Sequence, residues 1–294
     1  MSKSSKALDK FYTSPKVAKH FVDIINSFVD LKTFDMIIEP SAGSGNILDF
    51  LPENAIGFDI EPESDKIIKQ DFLKYDSSYD TFFKNINIAC VGNPPFGKGY
   101  MNPLAKAFFN HAATFSSLIS FIVPAKWHTS WKVHKQLNDN FGLYFSELLP
   151  KNSFLLNEKP YDVNCCMQIW SKHSLGSNLR ILNVPPTKHD DFDIFLTCDK
   201  VKQTPIVREQ IKNRQYWDFG IKYWGNIHVC NIEDISPNTT THFVFSSKKS
   251  YVRYVFEQID WKKYIFSMGA PNIGGKSVVI KAYIEKKQEL RIID

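Results

Sequence analysis

The sequence predicts an α/β protein, an open and largely parallel sheet with helices, followed by a smaller β-rich unit. Three observations predict it. Strand-like and helix-like stretches alternate over the first two-thirds of the 294 residues. The chemically distinctive residues fall just after strand-like stretches, where open α/β sheets bind ligands. From about residue 178 the alternation gives way to short strand-like stretches separated by polar turns. We therefore expect one domain over residues 1–177 and a second over 178–294.

The elements follow in order. After Pro15, apolar residues at Val17, Phe21, Ile24, Ile25 and Phe28 have helical spacing. Thr13 or Ser14 can cap that helix, with Pro15 at its first position. Met36 to Ile38 is a short buried strand ending in Glu39. A glycine-bearing turn and a short helix near Ile47–Leu51 come next. Ala55 to Phe58 is a second strand ending at Asp59, Ile67 to Phe72 a third, and Ile86 to Val91 a fourth. Pro103–Phe115 is helical, Leu118–Val123 is a fifth strand, and Val133–Phe141 is a helix. Leu143–Leu149 and Val163–Trp170 complete the sheet as an antiparallel pair. Pro185-Pro186 and the polar stretch to Asp191 form a linker. Asp193–Thr197, Phe219–Trp224 and His242–Ser246 are the strands of the second unit.

At 43% hydrophobic and 23% charged residues, the composition is that of a globular protein, which excludes collagen-like and low-complexity readings. No run of about 18 apolar residues occurs, so no membrane span is expected. Met1 to Lys6 lacks the apolar core of a secretory signal, which predicts a cytoplasmic protein. The five cysteines (Cys90, Cys165, Cys166, Cys198, Cys230) are odd in number and form no CxxC pair. They predict free, buried or half-buried thiols and no metal site. His111, His128 and His134 lie in no ligand constellation and read as structural or surface residues.

Charge is uneven. Residues 1–177 carry 18 basic and 18 acidic residues, whereas 178–294 carry 18 and 13, so the whole net charge of +5 lies in the second unit. Within 248–287 nine bases face three acids, interleaved with Tyr251, Tyr254, Trp261, Tyr264 and Tyr283. Bases with flat rings suit nucleotides.

The chemistry concentrates at four turns. Glu39-Pro40-Ser41-Ala42-Gly43-Ser44-Gly45-Asn46 lets the backbone turn tightly and approach a ligand. It has neither the lysine of a phosphate loop nor the third glycine of a dinucleotide fingerprint. Asp59, at the end of the second strand, can accept the hydroxyls of a ribose. Asp71 and Phe72 can hold an adenine by its amine and its face. Asn93-Pro94-Pro95-Phe96 is a stiff turn whose prolines remove two donors and leave the Asn93 and Pro94 carbonyls free. Two fixed acceptors would draw an exocyclic amine toward a tetrahedral, nucleophilic geometry, and Phe96 can stack on its base.

Taken in order, Phe11-Tyr12-Thr13-Ser14-Pro15, Glu39 to Gly45, Gly57-Phe58-Asp59-Ile60-Glu61-Pro62, Asp71-Phe72-Leu73 and Asn93-Pro94-Pro95-Phe96 resemble the S-adenosylmethionine-dependent adenine-N6 DNA methyltransferases. The resemblance covers roughly residues 11–170, and its motif order is similar to that of the gamma group. It implies a Rossmann-like seven-stranded methyltransferase sheet and S-adenosyl-L-methionine as cofactor. It also implies methyl transfer to the N6 amine of a flipped adenine, without a metal or a covalent intermediate. By that resemblance Tyr12 and Thr13 hold the methionine end of the cofactor. Glu39, Ala42, Gly43 and Gly45 line its centre, Asp59 binds the ribose, Asp71 and Phe72 the adenine, and Ile60 and Asn93 are further cofactor contacts. Asn93, Pro94, Pro95 and Phe96 hold the target base. Phe154 faces that base from the other side, with Tyr161 as its rival. Duplex DNA is the expected partner, with RNA and protein glutamine as alternative substrates. Lys248, Lys249, Lys262, Lys263, Asn272 and Lys276 are the candidate nucleic-acid contacts.

Overall fold

Strands buried on both faces read as continuous apolar runs and occupy the middle of a sheet. Ile88–Gly92 (β5) and Leu118–Pro124 (β6) are such strands, buried at every position. The computed structural model describes residues 11–75, 86–97, 103–196, 217–223, 225–235, 241–245, 249–264 and 275–292. The chain divides into two compact units, Met1–Leu182 and Asn183–Asp294.

In the first unit, Tyr12–Thr13 is β1 and Pro15–Phe28 is α1, with Pro15 opening the helix. Val17, Ala18, Phe21, Val22 and Ile25 turn one face of α1 into the core. Met36–Glu39 (β2), Ala55–Asp59 (β3), Ile67–Lys69 (β4), β5 and β6 run parallel to one another. Pro103–Phe115 (α2) buries Ala105, Phe108, Phe109, Ala112 and Ala113. Gly142–Leu148 (β7) and Cys165–Ser171 (β10) complete the sheet, and β10 inserts antiparallel between β6 and β7. The order β4-β3-β2-β5-β6-β10-β7 is the expected Rossmann-like seven-stranded sheet. Gln168, buried within β10, donates to Ser146 Oγ and accepts from Trp170 Nε1, so its amide is not orphaned in the core.

Three local expectations are corrected. The strand beginning at Ile67 stops at Lys69, because Asp71 caps a 3-10 turn over Phe72–Lys74 by accepting from the Leu73 N–H. The short helix near Ile47 is a 3-10 turn over Leu48–Phe50. The helix expected over Val133–Phe141 is only Trp131–His134 (α3). Its continuation is diverted by Arg180, whose guanidinium takes the carbonyls of His134, Leu137, Asn138 and Phe141. Oxygens that would accept along a helix are held by a side chain, and the segment turns by short-range bonds. The Leu143 N–H donates to Asn178 and the Ile181 N–H to His134 Nδ1, so residues up to 182 belong with this sheet.

Between β7 and β10 the chain makes a hairpin that the sequence did not predict. Phe154–Leu156 (β8) and Lys159–Tyr161 (β9) pair with each other, and β8 pairs antiparallel with β1.

The second unit holds a four-stranded antiparallel sheet of Asp193–Leu196 (β11), Phe219–Lys222 (β12), Val229–Cys230 (β13) and Thr241–Phe245 (β14), ordered β11-β14-β12-β13. Two helices not expected from the sequence, Val252–Glu257 (α4) and Lys276–Glu289 (α5), supply much of its core. Val252, Val255, Phe256, Val279, Ile280 and Tyr283 pack there with Phe219, Ile221 and Val244. Asp191 is buried in this unit and accepts from the Tyr283 hydroxyl at 2.6 Å and the Lys287 ammonium at 2.9 Å. Cys90, Cys165, Cys166 and Cys230 are free thiols, and Cys198 lies outside the described residues. Among the described residues no helix is long and apolar enough to cross a membrane.

Candidate active site

The chain leaves β2 toward β3 and β4 on one side, and β5 and β6 extend the sheet on the other. The switch point therefore lies between β2 and β5, and their carboxyl ends open a crevice. A cavity of about 320 Å³ lies there. Tyr12, Thr13, Glu39, Ala42, Gly43, Asp59, Ile60, Asp71, Phe72, Asn93, Pro94 and Pro95 all line it. Gly45 and Phe96 do not.

The glycine turn after β2 is built by its neighbours. Gly43 has φ +55°, and a Cβ there would lie 2.7 Å from Tyr12 Cε1, so both conformation and space call for glycine. The Tyr12 hydroxyl donates to Glu63, which holds the ring against the turn. Gly45 (φ +91°) shapes the same turn from behind the cavity. Asp59 accepts from the Gly43 N–H at 2.8 Å and the Glu61 N–H at 2.9 Å. These bonds fix its carboxylate and leave each oxygen a further lone pair.

Glu39 is 2% exposed, and its Oε2 has no hydrogen-bond partner. Burial holds its carboxyl well above the usual carboxylate range. The charges of Asp59 and Asp49 add to this, against a lowering bond from the Leu48 N–H. Such a group is stabilised by a cation or a donor arriving from the cavity.

Asn93 is held at two points, and one of them corrects an expectation: its main-chain carbonyl is not free but engaged by Ser41. Its Nδ2 donates to Thr13 Oγ1 at 3.3 Å, its carbonyl accepts from Ser41 Oγ at 3.0 Å, and Thr13 is itself held by Asn46 Nδ2 on its carbonyl at 2.8 Å. With Nδ2 committed, Oδ1 is the free end of the amide, and it is buried without a partner. An unpaired buried acceptor costs roughly 1–3 kcal/mol, so it marks a place prepared for a donor.

At the far end of the cavity, Asp71 accepts from the Leu73 N–H and pairs with Lys74 at 3.3 Å. Phe72 packs against Phe108 (ring centroids 5.2 Å) and edge-on against His111 (4.9 Å). Gln70, Leu104 and Phe108 also line the cavity and were not singled out from sequence, while Leu73 was quoted only as the end of its motif. Ser41 and Asn46 were legible only as part of the quoted turn. Their partners, Asn93 and Thr13, are set by tertiary structure.

The two rings expected to sandwich a base present no free face. Phe96 is 2% exposed and Phe154 is fully buried. Phe11 covers both, with centroids at 5.5 and 5.3 Å, and it lines the cavity in their place.

In the second unit, Lys249 has its ammonium 5.8 Å from the Tyr251 ring centroid, and Lys276 lies 5.6 Å from that of Phe195. Lys262 and Lys263 are exposed on a 3-10 turn over Trp261–Tyr264. Lys248 and Asn272 lie outside the described residues.

No protein-family model and no curated protein matches the chain. Solved structures do. A protein assigned as an RNA methyltransferase from Pyrococcus horikoshii is 16% identical over 56% of this chain and 87% of that one, with a TM-score of 0.42. The methyltransferase subunit of a type I restriction-modification system from Streptococcus thermophilus is 15% identical over 76% and 56%, with a TM-score of 0.40. Magnesium protoporphyrin IX methyltransferase from Synechocystis, with bound SAH, is 12% identical over 53% and 82%, with a TM-score of 0.35.

Proposed function

We propose that the chain transfers a methyl group from S-adenosyl-L-methionine to the N6 amine of adenine in DNA. The observation that carries this reading is Asn93. Its amide is clamped at Nδ2, and its buried Oδ1 faces no donor, beside two prolines that have none to offer. An exocyclic amine supplies the missing donor, and the Pro94 carbonyl gives a second acceptor to aim it.

The residues present fit the cofactor. Thr13 and Glu39 suit its charged methionine end, since a positive ligand removes the penalty on the buried Glu39 carboxylate. Gly43 allows close approach, Asp59 keeps lone pairs for ribose hydroxyls, and Asp71 suits the amine of an adenine beside Phe72, which is 1% exposed but, unlike Phe96, lines the cavity. When bound, S-adenosyl-L-methionine supplies a methyl group made electrophilic by a positive sulfur. Asn93 and Pro94 orient the target amine and stabilise the charge that builds on it.

We assign catalysis to the first unit, Met1–Leu182, and target recognition to the second, Asn183–Asp294, which carries most of the basic excess; the boundary expected at 177/178 moves because Arg180 and Ile181 are bonded into the first unit. Lys248, Lys249, Lys262, Lys263, Asn272 and Lys276 are the second unit's proposed contacts with DNA.

The test is transfer from labelled S-adenosyl-L-methionine to unmethylated duplex DNA, structured RNA and a protein extract, side by side, with nucleoside analysis. N6-methyladenine in DNA is expected. Label confined to RNA would move the second unit to RNA recognition. Label in protein alone, or none despite cofactor binding, would overturn the reading.

A further inference from the structure

The rings around Asn93 do not form a simple sandwich. Phe96 and Phe154 are 2% and 0% exposed, so neither offers a face to an incoming base. Phe11 packs on both and lines the cavity that Asn93 also lines, which they do not. Its ring meets Phe96 at 5.5 Å, Phe154 edge-on at 5.3 Å and Tyr161 at 6.0 Å. A phenyl ring held by three others at these spacings makes the contacts that a flat heterocycle would make.

Phe11 is also placed to leave. The pairing of β1 with β8 begins at Tyr12, which faces Leu155. Phe11 lies outside that ladder, so its side chain can turn away while Tyr12 stays on Gly43 and Thr13 stays on Asn93. Tyr161, on β9, is 37% exposed and forms the rim of the same cluster.

Resting on the functional reading above, we propose that Phe11 occupies the target-base slot in the free protein, and that it is the residue that sets how readily a base is accepted. A base must then displace it, and the apparent affinity is reduced by the fraction of molecules in which the slot is open. A base that cannot reproduce the ring contacts fails to displace Phe11, which makes the plug a filter as well as a cover.

The test compares wild type with Phe11→Ala and Phe11→Leu, the latter keeping an apolar cover over the buried rings should the alanine variant fold poorly. Binding of free 2-aminopurine is read by fluorescence, and an apolar slot emptied of a ring is a competent site for such a molecule. We expect roughly tenfold tighter binding to Phe11→Ala than to wild type, with Phe11→Leu between them. KM for unmethylated genomic DNA falls in the same order. Unchanged or weaker 2-aminopurine binding in both variants overturns the proposal, because Phe11 is then a wall and not a plug. A lowered kcat with weaker binding overturns it equally. Tighter 2-aminopurine binding with no methyl transfer to any nucleic acid, by wild type or variant, supports the slot and overturns the functional reading alone.

Discussion

Glu39 in the first unit and Asp191 in the second are both carboxylates buried to within a few per cent of their surface, yet their settings are opposite. Glu39 keeps one oxygen unpaired, and burial with nearby negative charge pushes its carboxyl up. Burial also pushes Asp191 up, but the Tyr283 and Lys287 hydrogen bonds and the charges of Lys287 and His189 outweigh it, and its carboxyl is lowered. The contrast separates two uses of a buried charge. A satisfied carboxylate clips elements together, here α5 to the chain just ahead of β11. An unsatisfied one, lining the same cavity as the equally unsatisfied Asn93 Oδ1, stores an unfavourable interaction.

Removing either carboxylate shows which use it serves. The largest effect is expected at the clip. Asp191→Ala removes the buried carboxylate that takes both the Tyr283 hydroxyl and the Lys287 ammonium, and should cost about 3–5 kcal/mol in urea denaturation of the full chain. A loss below about 1 kcal/mol, within the range of an exposed pair, would place Asp191 among surface charges.

Asn93→Ala should behave in the reverse way. We expect methyl transfer to fall by roughly 10²–10³-fold, with folding stability and cofactor affinity nearly unchanged. Full activity in that variant would remove the amine-aiming role.

His134 extends the satisfied class into the first unit. Its Nδ1 accepts from the Ile181 N–H and its Nε2 donates to the Trp127 carbonyl, which fixes one neutral tautomer. Burial lowers its pKa from 6.5 to about 4, against a raising bond to Trp127 and with a further lowering by the charge of Arg180. The unfolded imidazole takes up a proton below about 6.5 while the folded one resists until about 4. Stability present above pH 6.5 is therefore lost as pH falls through that window, by roughly 3 kcal/mol. Urea midpoints at pH 7 and pH 4.5 for wild type and His134→Gln should converge at the acid end, and parallel profiles would refute the assignment.

Glu39→Gln keeps the shape and removes the charge. The unliganded variant should melt no lower than wild type at pH 7, because it loses an unfavourable carboxylate, while S-adenosyl-L-methionine binding by calorimetry weakens roughly 10- to 100-fold. Lower stability with intact binding would make Glu39 a clip like Asp191. The smallest effect is expected at the surface. Charge reversal at Lys249, Lys262 and Lys263 should lower DNA affinity and reduce the salt slope by about one for each phosphate no longer neutralised. An unchanged slope would leave those lysines as solvated surface.

The parts of this architecture that were legible in the sequence are those written locally. The parallel strands are short apolar runs ending in turns, and Pro103–Phe115 is bounded by its own proline. Gly43, Asp59 and Asn93 fall at strand ends, so a linear reading finds them. What escaped depends on partners distant in the chain. The helix after Val133 was overridden by Arg180, some 40 residues on. The β8–β9 hairpin is short, contains Pro160, and finds its partner in β1. Lys276–Glu289 carries Val278, Val279 and Ile280 in a row, a β-branched run that speaks against a helix, and its packing in the second unit decides otherwise. Phe96 and Phe154 were legible as rings near a base, but the ring that covers them was not, because Phe11 reaches Phe154 only through the fold.

The pairing of β1 with β8 also sets an order of construction. Thr13 meets Phe154 and Tyr12 meets Leu155 across a loop that spans most of the first unit. A chain growing from its amino terminus has Gly43, Asp59 and Asn93 in hand well before it owns the strand that holds Thr13 against Asn93. Closing so long a loop costs only slightly more entropy than closing a shorter one, but it waits on synthesis. The Thr13 side of the crevice is thus completed only once residues 154–161 have left the ribosome.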